Sequence, residues 1–180
     1  MSDNGIPASS RIAIVITGTP GAGKSSVGAA LAGMLATGAH IPVDFFRKMV
    51  KGGYASPHHW SEEVARQYRI ARRSAAQTAL NLAAGGFTPI LDDIVSADWV
   101  PEWIADLAGL DCRFVLLRPS LEAALERNRT RTIWTVDETV LRDLHAMLGG
   151  DYTRSWLMID NTEGTAEEAA AEIRRRLTLS

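Results

Sequence analysis

Apolar residues along this chain fall in short, nearly continuous runs rather than in a strict alternation with polar residues. The first run, residues 12–17, reads I-A-I-V-I-T, and comparable runs recur further along the chain. Continuous apolar runs of this length are typical of strands that are covered on both faces. The predicted strands span residues 11–17, 41–44, 88–92, 113–118 and 156–160.

Segments with helical signals separate the predicted strands. The clearest begins at Ser61, which precedes two glutamates, and ends at Gly85 and Gly86. Trp99 and Trp103 are four residues apart, so we expect both to pack in the core. The alternation of strands and helices predicts an α/β fold with a parallel sheet, whose ligands bind beyond the carboxyl ends of the strands. The predicted helices span residues 24–36, 47–51, 61–84, 99–107, 120–129, 137–148 and 165–177.

A phosphate-binding motif follows the first predicted strand. Residues 18–25 read G-T-P-G-A-G-K-S and match the pattern G-x-x-x-x-G-K-[ST] at every fixed position. Between a strand and a helix, the N–H groups of such a loop and of the helix N-terminus point at one place. Lys24 would place its charge on the β- and γ-phosphates, and Ser25 would offer its hydroxyl to Mg²⁺. The residues predicted to bind nucleotide here are Gly18, Thr19, Pro20, Gly21, Ala22, Gly23, Lys24, Ser25 and Ser26.

Two carboxylates, Asp92 and Asp93, lie at the end of the third predicted strand. In a phosphate-loop enzyme, an acid at this place holds Mg²⁺ or its water shell. Asp92 is the better candidate for the metal and also for contact with the substrate. The alternative is that either aspartate caps the turn that follows.

Asp44 ends the second predicted strand and would face the γ-phosphate from the acceptor side. A carboxylate there can accept the proton of a substrate hydroxyl and orient it for in-line attack. Arg47, one helical turn later, can hold the substrate or the transferring phosphoryl group. The alternative is an N-cap at Asp44 and a solvated Arg47.

Arginines are concentrated after the fourth predicted strand, where Arg127 and Arg131 are four residues apart. On one helix face they could close over the phosphates and neutralise charge in the transition state. Arg127 could also stack on the nucleotide base. The alternative is a run of solvated charges.

The segment 52–60 combines glycines, a proline, two histidines and two aromatic residues. This composition suits the wall of a substrate pocket, and Phe45, Tyr54 and Trp60 are its predicted aromatic members. An equally good interpretation is a surface loop whose Trp60 packs on the helix that begins at Ser61.

The composition limits the classes of function. The chain has 180 residues, 46% hydrophobic and 22% charged, which predicts one domain over residues 11–180 after a flexible leader, residues 1–10. The net charge of −2 argues weakly against nucleic acid as a partner. A single cysteine, Cys112, excludes an internal disulfide, and we find neither an apolar signal segment nor a membrane span. We therefore expect a cytoplasmic protein.

Four short motifs together resemble those of small P-loop kinases of the adenylate kinase-like group. They are residues 18–25, Asp44 with Arg47 close behind, residues 91–93 and residues 127–131. The layout is particularly similar to chloramphenicol phosphotransferase-like proteins, gluconate kinase and the polynucleotide kinase domain. The resemblance implies a three-layer fold with a five-stranded parallel sheet in the order 2-3-1-4-5 and a short arginine-bearing lid.

The resemblance also implies an activity and roles for residues. It implies ATP with Mg²⁺, and transfer of the γ-phosphate to a hydroxyl group. Asp44 corresponds to the catalytic base, Arg127 and Arg131 to the arginines of the lid, and Asn161 with Thr162 to the loop that contacts the base.

The leading hypothesis is therefore an ATP-dependent kinase, monomeric or homodimeric, whose partner is a small-molecule hydroxyl acceptor. An antibiotic is one such acceptor, and GTP is the alternative donor. A polynucleotide 5′-hydroxyl kinase and a non-kinase P-loop NTPase are the alternatives. A GTPase switch is disfavoured because the chain lacks N-K-x-D, and a motor ATPase because the chain is short.

Overall fold

Five parallel strands form one sheet at the centre of the computed structural model, which describes residues 12–130 and 135–179. The strands are β1 (Ile12–Thr17), β2 (Gly38–Pro42), β3 (Thr88–Asp92), β4 (Asp111–Leu117) and β5 (Leu157–Ile159). Their order is β2-β3-β1-β4-β5, so the predicted sheet is confirmed. The predicted leader, residues 1–10, and Arg131 lie outside the described residues.

Helices cover both faces of the sheet. The helices are α1 (Lys24–Met34), α2 (Val43–Lys48), α3 (Glu62–Ala84), α4 (Val100–Asp106), α5 (Leu121–Arg129), α6 (Glu138–Met147) and α7 (Ala166–Arg176). Helices α1 and α7 pack on one face, while α3 and α4 pack on the other. The predicted three-layer α/β fold is thereby confirmed.

The two faces of the sheet explain why the strand sequences are apolar throughout. Along β1, Ala13 and Val15 face α3 and α4, whereas Ile14 and Ile16 face α1 and α7. Successive side chains of a strand point to opposite faces, so a strand covered on both sides needs apolar residues at every position.

The second strand and the helix after it differ from the prediction. Strand β2 begins at Gly38 and ends at Pro42, so Asp44 lies in the first turn of α2 rather than at the end of a strand. The pattern missed the start of β2 because this edge strand is only half-buried along most of its length. Helix α2 begins at Val43, four residues earlier than predicted, since Pro42 precedes it in an extended conformation and Asp44 favours a first turn.

The predicted start of α3 is confirmed. Ser61 caps this helix by accepting a hydrogen bond from the N–H of Val64 at 3.3 Å. Gly85 caps the other end, and Gly86 follows with a φ of 87°. Within the described residues, we find no helix that is both long and apolar enough to cross a membrane.

Trp99 and Trp103 do not pack as a pair in the core. Trp103 is 1% exposed and lies in the cluster between α3, α4 and the sheet. Trp99 precedes α4 in a 3₁₀ turn, Ala97–Trp99, and its ring stacks on other aromatic rings instead. The four-residue spacing misled because the helix begins after Trp99, not at it.

Trp103 and its neighbour Ile104 provide a matched test of this packing. Trp103→Ala should lower the free energy of unfolding by about 3–5 kcal/mol, because it empties a buried site between α4 and the sheet. Ile104 is 55% exposed, so Ile104→Ala should have only a small fraction of that effect. Urea unfolding followed by circular dichroism measures both, and equal losses would contradict the orientation of α4.

Candidate active site

The phosphate loop between β1 and α1 has the close backbone approaches that its glycines allow. Gly21 has a φ of 84°, and a Cβ on it would collide with the carbonyl oxygen of Ala124 in α5. At Gly18 a Cβ would lie 2.7 Å from the carbonyl oxygen of Leu117. Gly21 occupies a variable position of the motif, so the motif alone did not reveal its constraint.

The N-terminus of α1 is arranged to receive an anion. Helices α3, α5, α6 and α7 each begin with a side chain that accepts a hydrogen bond from the first turn. Helix α1 begins after Gly23 without such a cap, and its first turn contains no acidic residue. The N–H groups of a first turn have no partner within the helix, so a phosphate can accept hydrogen bonds from them.

Asn161 supports the phosphate loop from behind. Its side-chain amide donates to the carbonyl oxygen of Ala22 at 2.8 Å, and its own Oδ1 is buried without a hydrogen-bond partner among the described residues. The ammonium group of Lys24 donates to the carbonyl oxygens of Gly18 and Thr19 at 2.9 and 3.1 Å, so it lies across the loop. Thr162 lies beside Asn161 and accepts a hydrogen bond from the N–H of Ser120 at 2.7 Å.

The acid at the end of β3 lies directly beside the phosphate loop. The Ser25 hydroxyl donates to Oδ1 of Asp92 at 3.3 Å, although 67 residues separate the two. The other carboxylate oxygen, Oδ2, lies 2.6 Å from Nε2 of His40. Asp92 therefore does not cap a following helix.

These groups fit a magnesium ion chemically. Ser25 and Asp92 bring a hydroxyl and a carboxylate oxygen together, and Mg²⁺ prefers oxygen ligands that leave room for water and substrate phosphates. Ser25 is exposed at the start of α1, while Asp92 is only 5% exposed. Within the described residues we find no group of three or more histidine, cysteine or acidic side chains that could hold a metal ion alone.

The Asp93 side chain points to the opposite side of the sheet from Asp92 and forms a buried ion pair. Its Oδ2 accepts a hydrogen bond from Nε of Arg72 at 2.6 Å, and both side chains are less than one-tenth exposed. Burial raises the pKa of the Asp93 carboxyl above its usual range, whereas the Arg72 guanidinium favours the ionised form. Because this ion pair occupies the Asp93 carboxylate, it is Asp92 and not Asp93 that contacts Ser25 of the phosphate loop.

Guanidinium groups and aromatic rings alternate beside Asp93, in a surface that we call the acceptor wall. Arg47 lies over the rings of Tyr54 and Tyr68, with its Cζ 4.8 and 4.6 Å from their centroids. Arg72 lies over Trp99 at 3.3 Å and near Tyr68 at 5.5 Å. The outermost ring, Trp60, stacks with Tyr68 and Trp99 at 5.9 and 6.2 Å. The acceptor wall comprises Arg47, Tyr54, Trp60, Tyr68, Arg72 and Trp99.

Arg47 is not the solvated side chain of the alternative interpretation. It is 4% exposed, and its guanidinium donates to the hydroxyl of Tyr54 at 2.5 Å and to the carbonyl of Ala55 at 3.2 Å. In the part of the chain that the structure describes, no carboxylate lies within ion-pairing distance of it, and its Nε is buried without a hydrogen-bond partner. A buried cation in this state is uncommon, because burial without a counter-charge is costly.

The loop that carries Tyr54 is fixed to α3 by Gln67, which is 3% exposed. The Gln67 amide donates to the carbonyl of Gly53 at 2.7 Å, and its Oε1 accepts from the N–H of Ala55 at 3.1 Å. Trp60 is 62% exposed and does pack on α3, through Tyr68, so the two interpretations of this loop are compatible.

Asp44 lies near enough to the acceptor wall for its charge to act on Tyr68. It is exposed in the first turn of α2, one turn from Arg47, and Phe45 beside it is 59% exposed. Burial raises the pKa of Tyr68 to about 12, and the nearby charges of Asp44 and Asp93 act in the same direction. Tyr68 therefore keeps its proton at neutral pH, and its hydroxyl is a neutral group near the carboxylates of Asp44 and Asp93.

The arginines after β4 have separate engagements. One Arg127 guanidinium nitrogen donates to the carbonyl oxygens of Asn161 and Thr162 at 2.9 and 2.8 Å. Arg129 is exposed and pairs with Glu138 at 2.6 Å. Arg127 thus lies at the loop after β5, where the resemblance puts the nucleotide base, whereas Arg131 is outside the described residues. Closure of a lid over the phosphates stays a prediction.

Sequence reasoning missed several side chains of this region: His40, Gln67, Tyr68, Arg72 and Trp99. His40 occurs in a weakly apolar edge strand, and its partner is 52 residues away. Tyr68 and Arg72 are four residues apart within α3, the spacing that places side chains on one helix face, and this signal could have paired them. Nothing local in the sequence indicates that this face meets the end of β3.

The fold and this arrangement of loop and strand-end acid define a P-loop kinase fold, so the predicted resemblance is confirmed. The chain belongs to the family described as AAA domain, whose model matches residues 14–144. No curated protein sequence matches the chain. A P-loop kinase fold implies nucleotide binding.

Solved structures share this fold at low sequence identity. The Deinococcus radiodurans tunicamycin resistance protein is 17% identical, with a TM-score of 0.69 over 94% of this chain and 96% of that one. Shikimate kinase from Acinetobacter baumannii in complex with shikimate is 22% identical, with a TM-score of 0.67 over 93% of each chain. A gluconokinase from Sinorhizobium meliloti 1021 is 20% identical, with a TM-score of 0.59 over 93% of this chain and 96% of that one. At such identities the likeness shows the fold.

The Arg72–Asp93 pair yields a prediction about stability. Arg72→Met or Asp93→Leu alone should lower the free energy of unfolding by about 3–5 kcal/mol, because each leaves a buried group without its partner. The double variant Arg72→Met, Asp93→Leu should recover most of the loss, since it removes both buried charges. Urea unfolding measures all three variants.

An exposed ion pair on the same helix serves as the control. Arg66 pairs with Glu63 one turn apart, and their side chains are 62% and 44% exposed. Arg66→Ala should leave the unfolding midpoint close to that of the wild type. Additive losses in the double variant at Arg72 and Asp93 would contradict the buried pair.

Proposed function

We propose that this protein is an ATP-dependent kinase that transfers the γ-phosphate to a hydroxyl group of a small molecule. The observation that carries the proposal is an exposed acid, Asp44, which lies in the first turn of α2 directly after β2 and one turn before Arg47 of the acceptor wall. A protein that only binds nucleotide would need the phosphate loop and Asp92, but it would not need an exposed acid close to Arg47.

The donor half of the proposed site consists of the phosphate loop and the β3 acid. The loop N–H groups and Lys24 would bind the phosphates of ATP, while Ser25 and Asp92 would hold Mg²⁺. When bound, Mg²⁺ would neutralise charge on the phosphates. Asn161 keeps the loop in place through Ala22. Arg127, Asn161 and Thr162 would border the nucleotide base.

The acceptor half consists of Asp44 and the acceptor wall. Asp44 would accept the proton of the substrate hydroxyl as the oxygen attacks phosphorus. Phe45, Arg47, Tyr54 and Trp60 would contact the body of the acceptor, and aromatic rings favour a substrate with a flat or apolar face. Arg131 would neutralise charge on the transferring phosphoryl group, and Arg127 would join it only after leaving its contacts with the carbonyl oxygens of Asn161 and Thr162.

The acceptor class follows from two kinds of support. Structural neighbours named for shikimate and gluconate favour a small hydroxylated compound, and the neighbour named for tunicamycin resistance favours an antibiotic. The net charge of −2 does not favour a polynucleotide. We therefore expect a small molecule, modified in the cytoplasm.

A panel of acceptors tests the proposed activity. Purified protein with MgATP should convert at least one hydroxylated compound among sugar acids, nucleosides and antibiotics into a product heavier by one phosphoryl group. Lys24→Met should abolish the conversion, because the loop loses the charge that contacts the phosphates. Mass spectrometry detects the product. Phosphorylation of 5′-hydroxyl oligonucleotides alone would contradict the small-molecule acceptor.

Asp44→Asn tests the proposed base on an acceptor from that panel. It should lower kcat by about 10²–10⁴-fold and leave the affinity for MgATP unchanged, since the amide cannot accept the proton. Asp143→Asn, which alters an exposed carboxylate on α6, is the matched control and should keep wild-type turnover. An Asp44→Asn variant that turns over as fast as the wild type would show that another group is the base.

A further inference from the structure

Among the described side chains, His40 makes the shortest contact with Asp92, the proposed ligand of Mg²⁺. Its Nε2 lies 2.6 Å from Oδ2 of Asp92, and the two side chains are 16% and 6% exposed. A carboxylate only accepts hydrogen bonds, so the imidazole donates Nε2–H in this contact when Asp92 is ionised. His40, a residue of β2, therefore holds one oxygen of the Asp92 carboxylate in place.

The second carboxylate oxygen of Asp92 contacts the phosphate-loop end of α1 and not His40. Oδ1 accepts from the Ser25 hydroxyl at 3.3 Å, at the start of α1. The two oxygens of one carboxylate thus have different partners on different elements. Because the His40 contact restrains rotation of the carboxylate about its Cβ–Cγ bond, Oδ1 stays directed at Ser25.

Helix α1 has a gap that fits the imidazole ring. Gly28 is buried on this helix, and a Cβ built on it would lie 2.8 Å from both Cδ2 and Nε2 of His40. A glycine lowers helix stability relative to alanine by about 0.5–1 kcal/mol. The absence of a side chain at position 28 is therefore best explained by the ring that occupies the space.

We propose that His40 is a positioning residue that orients Asp92 for Mg²⁺ and so sets the magnesium dependence of nucleotide binding. The proposal rests on the metal and nucleotide part of the proposed function, but not on the identity of the acceptor or on the base. Partners of this kind, one step removed from the metal, typically change metal affinity by 10–100-fold when they are lost.

Nucleotide binding at varied Mg²⁺ concentration tests the proposal on the whole 180-residue chain. The probe is a fluorescent N-methylanthraniloyl ADP, titrated with MgCl₂ or kept in EDTA. His40→Ala should raise the Mg²⁺ concentration for half-maximal enhancement of affinity by about tenfold. The affinity measured in EDTA should be unchanged, because the loop itself is untouched.

Two further variants separate positioning from packing. His40→Gln keeps a donor at a similar reach and should restore most of the wild-type Mg²⁺ dependence. Gly28→Ala leaves His40 in the chain but displaces its ring, so it should act in the same direction as His40→Ala. Mn²⁺ binding in the presence of ADP, followed by electron paramagnetic resonance, gives a second readout that does not depend on turnover.

The outcomes distinguish the proposal from the function on which it rests. A wild-type Mg²⁺ dependence in both His40→Ala and Gly28→Ala would overturn the role of His40. An equal loss of affinity in EDTA and in Mg²⁺ would also overturn it, since that result indicates a purely structural role. If the wild type itself binds no nucleotide under either condition, the proposed function fails first. Should His40→Ala not fold, an unchanged Mg²⁺ dependence in Gly28→Ala alone overturns the proposal.

Discussion

The position of β1 between β3 and β4 is the constraint on which the site depends. In the parallel register, Ile16 pairs with Asp92 on one side and Thr17 pairs with Leu116 on the other. Parallel strands end at the same edge of a sheet, so the loop after β1 and the acid that ends β3 become neighbours. Main-chain hydrogen bonds of the sheet thus bring Ser25 to Asp92, and the side chains add only the final contact.

Helix α1 begins at this edge of the sheet. Its N-terminus lacks features that usually stabilise a helix, and packing of its buried face offsets this lack. Helix α1 lacks the side-chain cap that α3, α5, α6 and α7 have, and such a cap is worth about 0.5–2 kcal/mol. Glycines with positive φ precede it. Val27 and Leu31 of the same helix are almost fully buried against the sheet, and Asn161 binds the loop through Ala22. The helix is therefore held by its buried face, which leaves its N-terminus available to an anion.

The sequence located the segment between β1 and α1 and the acid at the end of β3 correctly, because these signals are local. The motif in residues 18–25 is contiguous, the strand before it is apolar throughout, and Asp92 lies at a strand end. The contacts around these elements were predicted less well, since they join residues that are distant in the chain. Arg72 meets Asp93 across 21 residues, and His40 meets Asp92 across 52. Neither pairing has a periodic signal.

The errors at β2 and Trp99 have a related cause. An edge strand that is half-buried needs few apolar residues, so the first residues of β2 had the sequence pattern of a connecting loop. Trp99 and Trp103 have helical spacing, but a helix that begins at Val100 excludes the first of them. Spacing predicts which residues share a face only when the ends of the element are known, and those ends depend on caps and on packing against other elements.

The buried guanidinium groups of the acceptor wall are hard to explain by stability alone. Replacing a buried ion pair by apolar residues of similar size is often neutral or stabilising, so Arg72 and Asp93 are weak evidence for a stabilising role. Arg47 is buried among rings without a carboxylate partner in the described chain. What these groups provide is rigidity, because Arg47 ties α2 to the 53–55 loop while Gln67 ties that loop to α3. Asp44 precedes Arg47 by one turn on α2, so the anchor that fixes the wall also fixes the proposed base relative to it. In the proposed reaction the substrate hydroxyl must lie within about 0.5 Å of its productive position relative to the base, and a rigid α2 would supply that precision.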